Sequence, residues 1–361
     1  MAASDPDRNF NVRRHLLEGH VIPAHPLALT PSRTLDERYQ QALTRYYVAS
    51  GAGGMAVGVH TTGFPIHDEK IGLYRPVLEL AAHTASAALD QRTSGRGFVR
   101  VAGIIGDTRQ AVREAEIAMH LGYHCGLLSL GAWRDATMPQ ILDHCRRVAE
   151  VIPVFGFYLQ PAVGGMRLDY AFWREFAQIR NVVAIKIAPF DRYATLEVVR
   201  AVAESGREDI ALYTGNDDSI IPDLVTPIPL HAGGRTVSTA IVGGLLGQWA
   251  VWTRRAVEWL DEIRWWRAGT ESTIPVEWMS RSAALTMANA AIFDAANGFR
   301  GCLPGILEVL RRQRLVRGTW TFDTHEQLSP GQAGAIEQVC QRYPQLTDDR
   351  FVAENIDDWL R

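Results

Sequence analysis

Cysteine is sparse in this chain. Its four residues, Cys125, Cys145, Cys302 and Cys340, lie far apart with no CxxC pair. That spacing offers neither a disulfide framework nor a structural zinc site, and it suits a reduced, cytoplasmic protein. An excess of one charge is missing too. The 37 Lys and Arg against 40 Asp and Glu leave a formal charge of −3, which supplies no basic face for nucleic acid and no polybasic anchor for a membrane. No stretch approaches the ~20 apolar residues of a membrane span, and the opening MAASDPDRNFNVRRH has no apolar signal core. The nucleotide signatures GxGxxG and GxxxxGK[ST] are absent, as is the metalloprotease pattern HExxH.

What is present is alternation. Apolar, β-branched runs such as GMAVGV (54–59), FVRVAGII (98–105), CGLLSL (125–130), IPVFGFY and VVAIKIA (182–188) are each followed by a segment with helical spacing. DTRQAVREAEIAMHLG (107–122) carries a full helix signature, with Asp107 as cap and Gly122 as stop; Thr137 opens the next helix in the same way. The apparent strand ends Leu130, Tyr158, Lys186 and Thr214 recur every 28 residues. Repeated strand–helix units imply a parallel sheet, because each right-handed crossover needs a helix. Near-continuous apolar strands imply a sheet covered on both faces. The expected fold is therefore a (β/α)8 TIM barrel over 20–260, with a polar arm over 1–19 and a helical region over 261–361. HAGGRTVS (231–238) is read, less clearly, as the last strand of the series.

Lys186 sits within an otherwise apolar strand, close to its carboxyl end, where barrels carry their catalytic groups. Desolvation disfavours an ammonium, so a lysine placed there becomes a candidate neutral amine able to attack a carbonyl. A lysine whose head escapes to solvent or pairs with a carboxylate fits the same position. Tyr158 ends the preceding strand, and a phenol beside that amine can carry protons. A wall residue is the plainer role for a strand-end tyrosine.

FYLQPAVGG (157–165) followed by VVAIKIA resembles the YNxP…IK pattern of the dihydrodipicolinate synthase and N-acetylneuraminate lyase superfamily. ALTP (28–31), HTTGF (60–64), the block from Val101 to Leu128, YTGND (213–217) and, more faintly, GGRTVST (233–239) resemble further family segments in the same order, over about 20–240. The resemblance implies a class I lyase or aldolase in which Lys186 forms a Schiff base with a 2-oxo acid such as pyruvate, and a C–C or C–O bond is then made or broken. It implies that Tyr158 relays protons, that Thr61 and Thr62 cradle the carboxylate, and that Gly215 lies at the substrate, with no cofactor beyond the covalent lysine. His60, directly before the two threonines, is expected to touch substrate. The implied partners are a 2-oxo acid, an aldehyde and further copies of the chain in a homodimer or homotetramer; nucleic acid and membrane are not expected.

The chain departs from the pattern at Phe64, Leu159 and Val163, where family members carry a glutamate, an asparagine and, in the synthases, an arginine. A valine cannot make a bidentate ion pair with a carboxylate. The acceptor side is therefore expected to be apolar, with Trp133 a further candidate for its wall, and dihydrodipicolinate synthesis itself is not expected. Two rivals stand beside the lyase. One is a metal-dependent barrel hydrolase or aldolase using His25, His60, His231, Asp217 or Asp218; the other is a non-catalytic relative that binds a small acid. Asp217 and Asp218 are read chiefly as caps for the helix after YTGND. The tryptophan cluster Trp249, Trp252, Trp259, Trp265 and Trp266 is read as core, with a subunit interface as its sharper alternative.

Overall fold

A computed structural model describes residues 10–91, 97–232, 234–269 and 273–361. Eight parallel strands surround one axis: β1 (Val21–Pro23), β2 (Gly54–Val57), β3 (Val99–Ile104), β4 (Cys125–Leu128), β5 (Val154–Leu159), β6 (Val182–Ala188), β7 (Ala211–Thr214) and β10 (Gly243–Leu246). Hydrogen-bonded pairing runs from β2 through β7 to β10 and β1. The barrel closes where Ala24 bridges Ala56 and the His25 N–H donates to the Ala56 carbonyl at 2.8 Å.

Helices α2 (Glu37–Ala49), α3 (Tyr74–Asp90), α4 (Thr108–His120), α5 (Met138–Val151), α6 (Tyr170–Phe176), α7 (Arg192–Glu204) and α8 (Ile220–Val225) alternate with the strands. Short polar caps start them: the side chains of Asp36, Asp107, Asp169 and Asp191 accept from the N–H groups of Tyr39, Gln110, Phe172 and Ala194. Strand side chains divide into two layers, as a covered barrel requires. Ala56, Val101, Leu127, Phe157, Tyr213 and Leu245 fill the interior, while Val57, Ala102, Leu128, Tyr158, Ile187 and Leu246 face the helices.

The segment expected as the last strand lies elsewhere. Residues 228–232 and 235–239 form an antiparallel hairpin, β8 (Ile228–Ala232) and β9 (Arg235–Thr239), outside the barrel sheet. Gly233 lies outside the described residues. The eighth barrel strand is instead GGLL of β10, whose two glycines leave little apolar signal; a Cβ on Gly243 would fall 2.5 Å from the His20 backbone.

The amino-terminal end of the barrel is plugged by α1 (Val12–Glu18), inside the region read as a polar arm. Leu16 enters the inner layer, and the Tyr213 hydroxyl donates to its carbonyl at 2.9 Å. Beyond the barrel run α9 (Thr253–Ala268), α10 (Glu277–Ile292), α11 (Cys302–Arg312), α12 (Gln332–Arg342) and α13 (Asp349–Trp359). Trp249, Trp252 and Trp259 are buried as core, whereas Trp265 is 81% exposed. No helix among the described residues is long and apolar enough to cross a membrane.

One buried phenol ties two parts of this helical region to α2. The Tyr46 hydroxyl donates to Asp348 Oδ2 at 2.7 Å and accepts from the Thr253 N–H at 2.7 Å, joining α2, the start of α9 and the turn before α13. Tyr46→Phe leaves the Thr253 N–H unpaired and takes one donor from Asp348, which keeps the Arg254 N–H and the Gln313 amide, so urea denaturation should report a loss of about 1–3 kcal/mol.

Candidate active site

Lys186 is 7% exposed, and its side chain enters the barrel interior. It is one of only two lysines in the chain, with Lys70; every other basic side chain apart from histidine is arginine, which does not deprotonate in proteins. Its stem lies against Gly215, where an added Cβ would come within 2.7 Å of Lys186 Cε. Glycine in YTGND thus makes room for the lysine. The Nζ makes no hydrogen bond among the described residues and stands 4.5 Å from the centre of the Phe157 ring. Burial pulls its pKa down to about 8, partly offset by the negative charge of Asp217.

Asp217 is the functional candidate that the sequence reading ranked too low. It does not cap the following helix. Its Oδ1 accepts the Gln248 N–H at 2.9 Å, which turns the carboxyl into the cavity that holds Lys186. Burial pushes its pKa up to about 7, against the lowering effects of the Gln248 N–H and of Lys186. A raised carboxyl and a lowered amine facing one cavity mark the two as candidate acid–base groups.

A buried polar network fixes the loops carrying these groups. Thr214 Oγ1 donates to Asp223 Oδ2 at 2.6 Å, and Asn216 Nδ2 donates to the same oxygen at 3.1 Å; Arg192 pairs with Asp223 from the neighbouring loop. Asn216 Oδ1 accepts the Phe190 N–H at 3.0 Å. Phe190 is thereby held at φ +52°, a left-handed conformation that is costly for a bulky side chain. Across the cavity Phe299, at φ +66°, meets its ring edge to face at 6.1 Å. Two strained aromatics therefore close the mouth over the lysine.

The other expected residues divide. Thr61 and His60 line the cavity, and the Thr61 hydroxyl makes no hydrogen bond among the described residues. Burial, aided by the charge of Lys186, holds His60 down at about 4, so it is a neutral ring at physiological pH. Thr62 has a structural position: its hydroxyl donates to the His25 carbonyl at 2.7 Å and accepts from the Gly58 and Val59 N–H groups. Having spent its one donor, it does not line the lysine cavity.

Tyr158 is not brought to Lys186. With regular pairing, the 28-residue interval would set the two side by side. The register shifts at Val154/Phe155, so that Val154 opposes Val182 but Phe155 opposes Ala184. One extra residue on β6 puts Phe157 opposite Lys186 and Tyr158 opposite Ile187. Tyr158 consequently faces the helices, packs 5.4 Å from Trp173 and accepts the Leu168 N–H at 3.4 Å.

The cavity is small, about 60 Å³. Leu159 and Val163 belong to its wall, as expected; Phe64 lines a neighbouring cavity, and Trp133 lies outside, packed on His144. Phe293, Phe299, Cys302 and Ile306 come from the carboxy-terminal helices. No local signal in the sequence marked them, since only the folded chain brings residues so distant in sequence to the barrel mouth.

Of the residues named for the metal-dependent alternative, His60 and Asp217 line this cavity. His25 is fully buried, with Nδ1 on the Pro26 carbonyl and Nε2 on Thr44 Oγ1, and His231 belongs to the β8–β9 hairpin. Among the described residues, the group of His, Cys, Asp and Glu close enough to share an ion is His15, Glu18 and His20, at the opposite end of the barrel. There the two imidazoles stack at 3.8 Å and 15°. In-plane lone pairs on near-parallel rings do not converge on one ion.

No family model matches the chain. A curated 4-hydroxy-tetrahydrodipicolinate synthase of Bifidobacterium longum is 27% identical over 218 residues, covering 58% of this chain and 65% of that protein. The chain thus spans just under two thirds of that relative's length. The dihydrodipicolinate synthase of Acinetobacter baumannii, solved in complex with pyruvate, superposes with TM-score 0.69 at 16% identity, covering 90% of this chain and 98% of that one. The N-acetylneuraminate lyase of Fusobacterium nucleatum gives TM-score 0.66 at 15% identity, covering 91% and 99%. The fold shared with these structures is the TIM barrel. The chain is thus similar to dihydrodipicolinate synthases in sequence and to these synthases and N-acetylneuraminate lyases in fold.

Two outcomes follow for the lysine. Acylation of Lys186, followed by peptide mass spectrometry, should rise through about pH 8, below the ~10.4 of an unperturbed lysine. In Asp217→Asn the charge that favours the ammonium is gone, so the midpoint should move lower still. Gly215→Ala should destabilise the fold by about 1–3 kcal/mol in denaturant titration and abolish the selective labelling, because the new methyl displaces the lysine stem.

Proposed function

We propose that the protein is a class I aldolase or lyase acting on a 2-oxo acid. The observation that carries this reading is the buried Lys186 amine, free of hydrogen bonds among the described residues and facing a cavity at the carboxyl end of the barrel. Its nitrogen adds to the ketone carbon; loss of water leaves an iminium, which withdraws electrons from the neighbouring carbon. A proton then leaves C3 and an enamine forms. Enamine attack on an aldehyde, with protonation of the aldehyde oxygen, makes a C–C bond. Hydrolysis of the iminium releases the product and regenerates the amine. Run backwards, the same steps cleave a 4-hydroxy-2-oxo acid.

Asp217 is the proton acceptor in this scheme, since it faces the lysine cavity and its pKa lies near neutrality. The Thr61 hydroxyl and the Gln160 amide, neither hydrogen-bonded among the described residues, are the side chains offered to the 2-oxo acid's carboxylate. Neutral His60 lies alongside and can donate to a substrate oxygen. The apolar wall at Leu159 and Val163 supports an acceptor other than that of dihydrodipicolinate synthases. The neighbour solved with pyruvate makes pyruvate the first donor to test.

Incubation with pyruvate and borohydride should add one reduced pyruvyl mass to the Lys186 peptide, and Lys186→Ala should show none. No adduct with any 2-oxo acid would remove the reading. Asp217→Asn should still trap pyruvate but should slow deuterium exchange at its methyl group by about 10²–10⁴-fold by NMR. Tyr158→Phe should leave that exchange nearly unchanged.

A further inference from the structure

Beside the lysine cavity lies a second one of about 190 Å³, and the two share a wall made by His60 and Thr61. Helix α11 borders both. Cys302 and Ile306, one turn apart, face the lysine; Leu303 and Leu307, one position on, face the second cavity. Its aromatic lining comes from Phe64, Trp320 and Phe322. The Trp320 indole is seated over Gly318, where an added Cβ would fall 2.7 Å from the ring. An apolar cavity of about 150 Å³ already holds a benzene ring, so this space admits a single aromatic ring.

Charge narrows the occupant. Asp323 and Glu326 line this cavity, and no lysine or arginine does among the described residues. Asp323 is exposed at the rim. Glu326 is half-buried; burial pushes its carboxyl up, the Thr321 hydroxyl opposes this, and Asp323 adds to it. Two carboxylates with no cation in the lining repel an anionic ligand and accept from a hydroxyl or an ammonium. An acceptor aldehyde can carry a carboxylate of its own. This cavity is built against one.

We infer that the second cavity is the acceptor site, and that it takes an aromatic aldehyde carrying a hydroxyl or ammonium at its far end and no carboxylate. The inference rests on the proposed class I chemistry for the role of the ligand. The ring packs between Phe64 and Trp320, its polar end meets Asp323 and Glu326, and its carbonyl end reaches the His60–Thr61 wall.

Binding is measured by isothermal titration with the full chain and three matched probes: 4-hydroxybenzyl alcohol, 4-(aminomethyl)benzyl alcohol and 4-(hydroxymethyl)benzoate. None has a carbonyl that can react with Lys186. The two donor-bearing probes should bind at least about tenfold more tightly than the carboxylate, the scale expected for like-charge exclusion. Glu326→Gln with Asp323→Asn should shrink that preference to below about threefold, and Trp320→Ala should weaken all three probes about fivefold or more. Trapping of pyruvate on Lys186 in the same variants reports that they are folded, and single Glu326→Gln should show an intermediate preference if the double variant is not. Equal or tighter binding of the carboxylate by the wild type, or a preference insensitive to these substitutions, overturns the inference. If pyruvate is never trapped but the probe preference holds, the chemistry has failed and the recognition site has not.

Discussion

The site is organised around the cost of keeping an ammonium out of water. Lys186 has Phe157 on one side and Gly215 on the other, and no hydrogen-bond acceptor among the described residues compensates it. The one compensating charge, Asp217, is itself partly desolvated and so carries its proton at higher pH than an ordinary aspartate. Each group lowers the cost of ionising the other, and neither is fully ionised under conditions where an exposed pair would be. A stronger ion pair would lock the nitrogen as a cation, whereas a wholly apolar pocket would leave no group to remove a proton. Asn216, Asp223 and Arg192 matter because they hold the loops at that intermediate setting.

Much of the barrel was legible because its strands are buried on both faces, and continuous apolar runs between capped helices survive any local irregularity. The lysine was legible for the same reason, as a charge where the pattern tolerates none. Tyr158 was misread through an assumption hidden in the 28-residue interval, namely unbroken register. A single bulge between Val154 and Phe155 breaks it and exchanges the inward and outward faces of β5 relative to its neighbour. Nothing in VFGFYL or VVAIKIA announces that bulge.

The remaining misreadings have different physical causes. β10 is glycine-rich where the plug and the barrel wall approach too closely for side chains, so its hydrophobic pattern is faint, while the β8–β9 hairpin alternates convincingly and lies outside the barrel sheet. Thr62 looked like a ligand-binding hydroxyl, but local backbone groups already occupy it. Asp217 looked like a helix cap, but a backbone N–H more than thirty residues further along the chain claims its oxygen. Both side chains have a partner distant in the sequence, the His25 carbonyl for Thr62 and the Gln248 N–H for Asp217.

Helix α11 has a consequence beyond shape. Because its adjacent stripes look into two compartments, the roof of the reactive chamber and the flank of its neighbour are one rigid body. Drift in the carboxy-terminal segment can then retune which molecules are admitted while the strand-borne chemistry below stays untouched. A lineage built this way acquires new tastes by re-roofing an old hearth.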